Sequence, residues 1–259
     1  MVPGAGGARF LVLRGRFGMS EELAGLERIA ESSRMPVRQY AGLVREIAGD
    51  KAKALSLFGA IVAGMFDPKR HAIKNVLVLE AVDLSILRRL ATYGAKLGKD
   101  RIAAPLIMTP DYIESSLDTF PLELLEIQQH HLTLFGDDHF HDLAFEDAHV
   151  RLQCEREMKA VLIGLRQGLL AAAGQQKLLG ALKLSIGEAL MRTFRGLLWL
   201  KGQRQAKSAV EMIAEVEKIT QRQLPGVRLA LEPSAADGWT EFESLYRDVE
   251  ALGEVADAW

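Results

Sequence analysis

The stretch LSLFGAIVAGMFDPKRHAIKNVLVLE, residues 55–80, decides the fold. Residues 55–58 form a short apolar run with the look of a buried strand, and Gly59 ends it. Gly64 follows five residues later. Residues 75–79, Asn-Val-Leu-Val-Leu, are rich in β-branched and aliphatic side chains, and acidic Glu80 closes them. Strand, glycine-punctuated turn, short helix or loop, and second strand is the reading. Glycines at that spacing let the backbone turn tightly and approach a ligand closely.

Working outward, residues 20–32 carry helical spacing, with Ser20 as cap and Leu23, Leu26 and Ile29 recurring; Met35-Pro36 is expected to break that helix. Residues 37–48 are expected to form a second one, with Tyr40, Leu43, Val44 and Ile47 on one face. Downstream, Asp83 or Ser85 caps a helix that reaches Gly98. Residues 102–108 read as a third strand, Thr109-Pro110 as a helix start, residues 121–127 as a fourth strand and residues 131–135 as a fifth. Near Asp147 the texture changes. Helical periodicity takes over in residues 148–173, 177–200, 208–223 (broken by Pro225-Gly226) and a last helix capped by Asp237. Four helices with short loops suggest an up-down bundle. The fold class is α+β, and the domains read as 1–18 (a leader outside the fold), 19–145 (strands and helices) and 146–259 (helical bundle).

The two-strand frame resembles the signature of the nucleotidyltransferase superfamily, of the kanamycin-nucleotidyltransferase and small bacterial minimal type. The family pattern is Gly-Ser, a second Gly, then Asp-x-Asp on the next strand. Gly59 and Gly64 match the glycines. Ala60 stands where the family has Ser, and Ile73 and Asn75 stand where it has the two metal-binding Asp residues. The resemblance implies an N-terminal nucleotidyltransferase-like mixed sheet with helices, followed by a bundle that helps bind the acceptor and often dimerises. It also implies a third carboxylate on a neighbouring strand. Glu123 or Glu126 fits, and Glu123 is preferred for its apolar neighbours.

Ile73 cannot ligate a metal, Asn75 offers one neutral oxygen, and Ala60 has no hydroxyl. Magnesium wants charged oxygen ligands. The expected function is therefore binding of a nucleoside triphosphate or another phosphate ligand without catalysis, with Gly59, Gly64, Lys69, Arg70 and Lys74 contacting phosphates and no resident metal. One alternative is an active transferase, with magnesium held by Asp67, Glu80, Asp83 or Glu123 in one cleft. Another is a dimeric scaffold whose cleft is filled by apolar side chains.

Composition narrows the classes. The chain has 259 residues, 49% hydrophobic and 25% charged, with net charge -2. That balance argues against a nucleic-acid or anionic-membrane partner. A homodimer is expected. A single cysteine, Cys154, excludes an internal disulfide and fits a cytoplasmic protein. Five of the six histidines fall between His130 and His149, interleaved with Asp137, Asp138 and Asp142. They show no metal-ligand spacing, so a polar loop is the reading. Arg156, Arg166, Lys183, Arg192 and Arg195 either line a cleft facing the strands or cover solvated helix faces. Arg192 and Arg195 matter most, because they interrupt the most apolar helix. No bundle Arg is followed closely by a His, as an RNase of the related HEPN type would need, since His149 precedes Arg151.

Overall fold

The computed structural model describes residues 23–69, 71–205, 207–231 and 238–257. The leader, Ser20, Arg70 and Asp237 lie outside them. The quoted stretch forms two antiparallel strands, β1 (Ala52–Phe58) and β2 (Lys74–Leu79), with Leu55 opposite Leu77. β3 (Leu106–Met108) runs parallel to β2, and β4 (His131–Gly136) runs antiparallel to β1, giving the order β3-β2-β1-β4. The fold is α+β, with this one mixed sheet in the N-terminal half and helices after it.

Both faces of the sheet are covered, which is why β1 and β2 read as continuous apolar runs rather than alternating ones. On one face Leu55, Leu57, Leu77 and Leu79 pack against Val37, Tyr40, Ala41 and Val44 of α1 (Glu31–Ala48) and Ile86 of α2 (Leu84–Ala91). The same core takes in Leu97 of the short α3 (Gly94–Lys99). On the other face Ala54, Phe58, Val76 and Val78 pack against Ile113 of α4 (Pro110–Ser115), Leu124 and Ile127 of α5 (Pro121–Gln129), and Phe140.

The helical half comprises α6 (Asp147–Ala172), α7 (Gln176–Leu200), α8 (Ala209–Thr220), α9 (Pro225–Leu231) and α10 (Gly238–Asp257). Their apolar stripes meet in a core containing Met158, Leu165, Leu190, Phe194, Val216, Phe242 and Leu245, all buried. Leu122 and Leu125 of α5 enter this same core. Cys154 is buried there too, and burial pushes its thiol up to about 12. Among the described residues no helix is long and apolar enough to cross a membrane.

Four expectations are corrected. Residues 121–127 are helix α5 rather than a strand: Pro121 takes the first helical position, where its missing N–H costs nothing, and Glu123 sits in the first turn. Of residues 102–108 only Leu106–Met108 is strand, while Ile102 makes an isolated bridge to Ile73; Pro105, with no N–H to give, lies between. Met35-Pro36 does not break a helix. The segment before it forms a 3-10 turn (Leu26–Arg28), because Gly25 is left-handed and Ala24 donates to the Leu134 carbonyl along the sheet edge. α1 then starts at Glu31 and carries Pro36 in its interior. Finally, Pro225-Gly226 starts a further helix, α9.

Candidate functional site

The sheet and the bundle meet along α5, and polar side chains gather on that seam. β1 ends at Gly59, whose φ of +75° suits glycine and turns the chain into a short 3-10 segment, Gly59–Ile61. The Gly59 N–H donates to the His130 carbonyl at the end of α5, at 2.9 Å. Across the turn Lys74, first residue of β2, reaches Glu126 of α5, with 3.2 Å between Nζ and Oε1. Its ammonium also lies over the Phe58 ring, 5.6 Å from the centroid. A Cβ added to Gly59 would sit 3.8 Å from Glu126 Oε1, so turn and carboxylate are immediate neighbours.

Helix α7 supplies the other side. Arg192 Nη1 donates to Glu123 Oε1 at 2.9 Å, and Gln153 of α6 donates to Glu123 Oε2 at 2.7 Å while accepting from the Leu122 N–H at 2.8 Å. Three residues on, Arg195 feels the charge of Glu126 but makes no hydrogen bond among the described residues, and its Nε is fully buried without a partner. Burial holds the guanidinium pKa below its usual value; Glu126 opposes that shift and Arg192 adds to it. The His130 imidazole is also held below its ordinary range, first by burial and then by Arg195. Three cations (Lys74, Arg192, Arg195) thus face two carboxylates (Glu123, Glu126), leaving one positive charge in excess.

The structure brings Gly59, Ala60, Lys74 and Glu123 to this seam and sends Ile73, Asn75, Gly64 and Lys69 elsewhere. Strand alternation decides the central case. Lys74 points toward α5, so its neighbours Ile73 and Asn75 point to the opposite face. Ile73 is buried in the core under α1. Asn75 is buried as well, accepting from the Tyr40 hydroxyl at 2.8 Å and donating to the Ala103 carbonyl at 2.9 Å. Gly64 and Lys69 lie exposed on the β1–β2 connection. Glu123 is on a helix, where it holds α5 to α6 and α7, and it is Glu126 that stands beside Gly59.

The carboxylates offered as substitute metal ligands do not converge. Glu80 and Asp83 pair with Lys53 and Lys51 at the start of β1, while Asp67 precedes β2 and caps its own loop through the Lys69 N–H. They flank β2, which spans roughly 20 Å at the usual rise per residue. Among the described residues no group of three or more His, Cys, Asp or Glu is arranged to hold a metal. His131 instead anchors its loop, bonding Asp138 at 2.9 Å while its other ring nitrogen faces the Ile127 and Gln128 carbonyls. Of the bundle cations, Lys183 pairs with Glu241 inside the bundle, Arg166 lies over Tyr246 and Arg156 is exposed. Of these five expected cations, Arg192 and Arg195 face the seam.

The sequence held a signal for this arrangement. Glu123 and Glu126, spaced i,i+3, match Arg192 and Arg195, spaced i,i+3, and such spacing puts each pair on one helix face. No protein-family model and no curated protein matches the chain.

Proposed function

We propose that this chain is a nucleotidyltransferase-like protein that binds a phosphate-bearing ligand, a nucleotide foremost, at the seam between the Gly59 turn and α7, without catalysing transfer. The observation that carries the reading is Arg195. A guanidinium presents five N–H donors in one plane. The side chain is half-buried, and its fully buried Nε has no hydrogen-bond partner, which costs about 1–3 kcal/mol for an unsatisfied donor. An anion placed on Arg195 would offset that cost, and the seam's excess charge is positive. Lys74 and the Gly59 backbone stand on the same seam, on the connection that carries the family resemblance. The two positions that would hold magnesium in an active relative are core residues here, and Glu123 and Glu126 are already engaged by Arg192 and Lys74.

The test is calorimetric titration with ATP and with inorganic phosphate, with and without magnesium. Expected is binding whose strength ignores magnesium, weakened roughly tenfold or more by Arg195→Met, as loss of a charged hydrogen bond predicts. Binding that appears only with magnesium would overturn the proposal, as would no binding up to about 10 mM.

A further inference from the structure

One helical turn beyond Arg195, the seam opens into a surface cavity of about 280 Å³. It is separate from the phosphate reading and has its own chemistry. Leu125, Gln128 and Gln129 of α5 form one wall, and Phe145, Trp199 and Arg204 form the other. The Trp199 ring is buried, and Phe145 meets it edge-on with centroids 6.2 Å apart at 88°. The Arg204 guanidinium lies 4.8 Å above the Trp199 centroid. No carboxylate pairs with Arg204 among the described residues. Gln128 commits its Nε2 to the His141 and Leu143 carbonyls at 3.1 and 2.7 Å, which leaves its Oε1 to accept from a ligand.

Each wall constrains the occupant. Aromatic side chains at the base favour a flat ring, which buries apolar area and meets Trp199 and Phe145 in offset or edge-on contact. An unpaired guanidinium at the mouth favours a planar anion, because carboxylate oxygens match its N–H fork. The volume falls below the range that takes drug-sized ligands, so the cavity suits one or two rings rather than a nucleotide.

We propose that this cavity binds a small planar aromatic carboxylate, its ring against Trp199 and Phe145 and its carboxylate on Arg204. Indole-3-acetate is the probe and indole-3-acetamide its neutral control, both titrated calorimetrically into the full-length protein. The acetate binds roughly tenfold more tightly than the acetamide, and Arg204→Met removes that advantage. Ala144 is exposed and lines the same cavity, so Ala144→Phe fills it and abolishes binding of both while the melting temperature stays unchanged. Equal affinity for acid and amide overturns the proposal. So does undiminished binding to the Ala144→Phe protein, or no binding of the acetate up to about 10 mM. Phosphate titration of Ala144→Phe separates the two sites: phosphate binding survives there if it resides on Arg195, whatever becomes of the indole acid.

Discussion

At the scale of single residues, Arg195 and Asp248 show charge held where it costs stability. Replacing Arg195 by Met keeps the length of the stem and removes a half-buried cation whose Nε has no hydrogen-bond partner, so the variant should be at least as stable as the parent while its phosphate affinity falls. Thermal melting checks the first half: a large loss of stability in Arg195→Met would mean that the guanidinium has a structural partner. Asp248 of α10 is buried and accepts the Val227 N–H at 3.0 Å. Burial raises its carboxyl to about 6, against the pull of the Val227 and Gly226 N–H groups and with Glu217 adding repulsion. The folded state therefore keeps this proton where the unfolded chain has lost it. The contribution of Asp248 is fully present below pH 4 and declines as pH rises through 6. Urea unfolding of the parent and of Asp248→Asn across pH 4–7 should show the parent losing on the order of 1–3 kcal/mol relative to the variant over that window. A constant difference would place the Asp248 titration elsewhere.

At the scale of elements, α9 lies against α10 so closely that a Cβ on Gly226 would collide with the backbone of Ser244 and Leu245. Backbone cannot step aside as a flexible side chain can, so Gly226→Ala should cost about 3 kcal/mol, at the upper end of overpacking penalties. Denaturant midpoints would show it, and a cost below about 0.5 kcal/mol would mean that α9 shifts freely. The elements also show what the sequence could and could not disclose. β1, β2 and the turn at Gly59 were legible because their burial is uniform and glycine marks the bend. α6 and α7 were legible because their apolar spacing persists over 26 and 25 residues. α5 was hidden because it is buried on two sides. Leu124 and Ile127 face the sheet core while Leu122 and Leu125 face the bundle core, which erases the polar stripe that marks a surface helix. The candidate site inherited that error. With α5 taken for a strand, Glu123 was preferred as the third carboxylate on a strand beside β2, whereas α5 is a helix and Glu126 is the carboxylate beside Gly59 and Lys74. The register of Lys74 against Ile73 and Asn75 depends on which face of β2 the helices cover, and no single strand states that.

At the scale of the whole molecule, α5 ties the two halves together. Its buried leucines belong to both cores, and Gly196 brings α7 close enough that an added Cβ would strike Leu122 and the Cys154 sulfur. The chain should therefore unfold in one cooperative step. Among the described residues the tryptophans, Trp199 and Trp239, lie on α7 and α10, so their fluorescence follows the helical half and its seam with α5. Hydrogen exchange of the β1 and β2 amides reports on the sheet. The expected outcome is the same urea midpoint by both; separate midpoints would show two independent units.

That shared helix also sets a timetable for synthesis. The sheet is complete once Gly136 has left the ribosome, but α7 ends only at Leu200, about sixty residues later. At ordinary elongation rates the gap lasts on the order of 3–12 s. Through that interval the nascent sheet domain carries Leu122 and Leu125 on an uncovered helix face, an apolar handle suited to a chaperone that meets chains as they emerge.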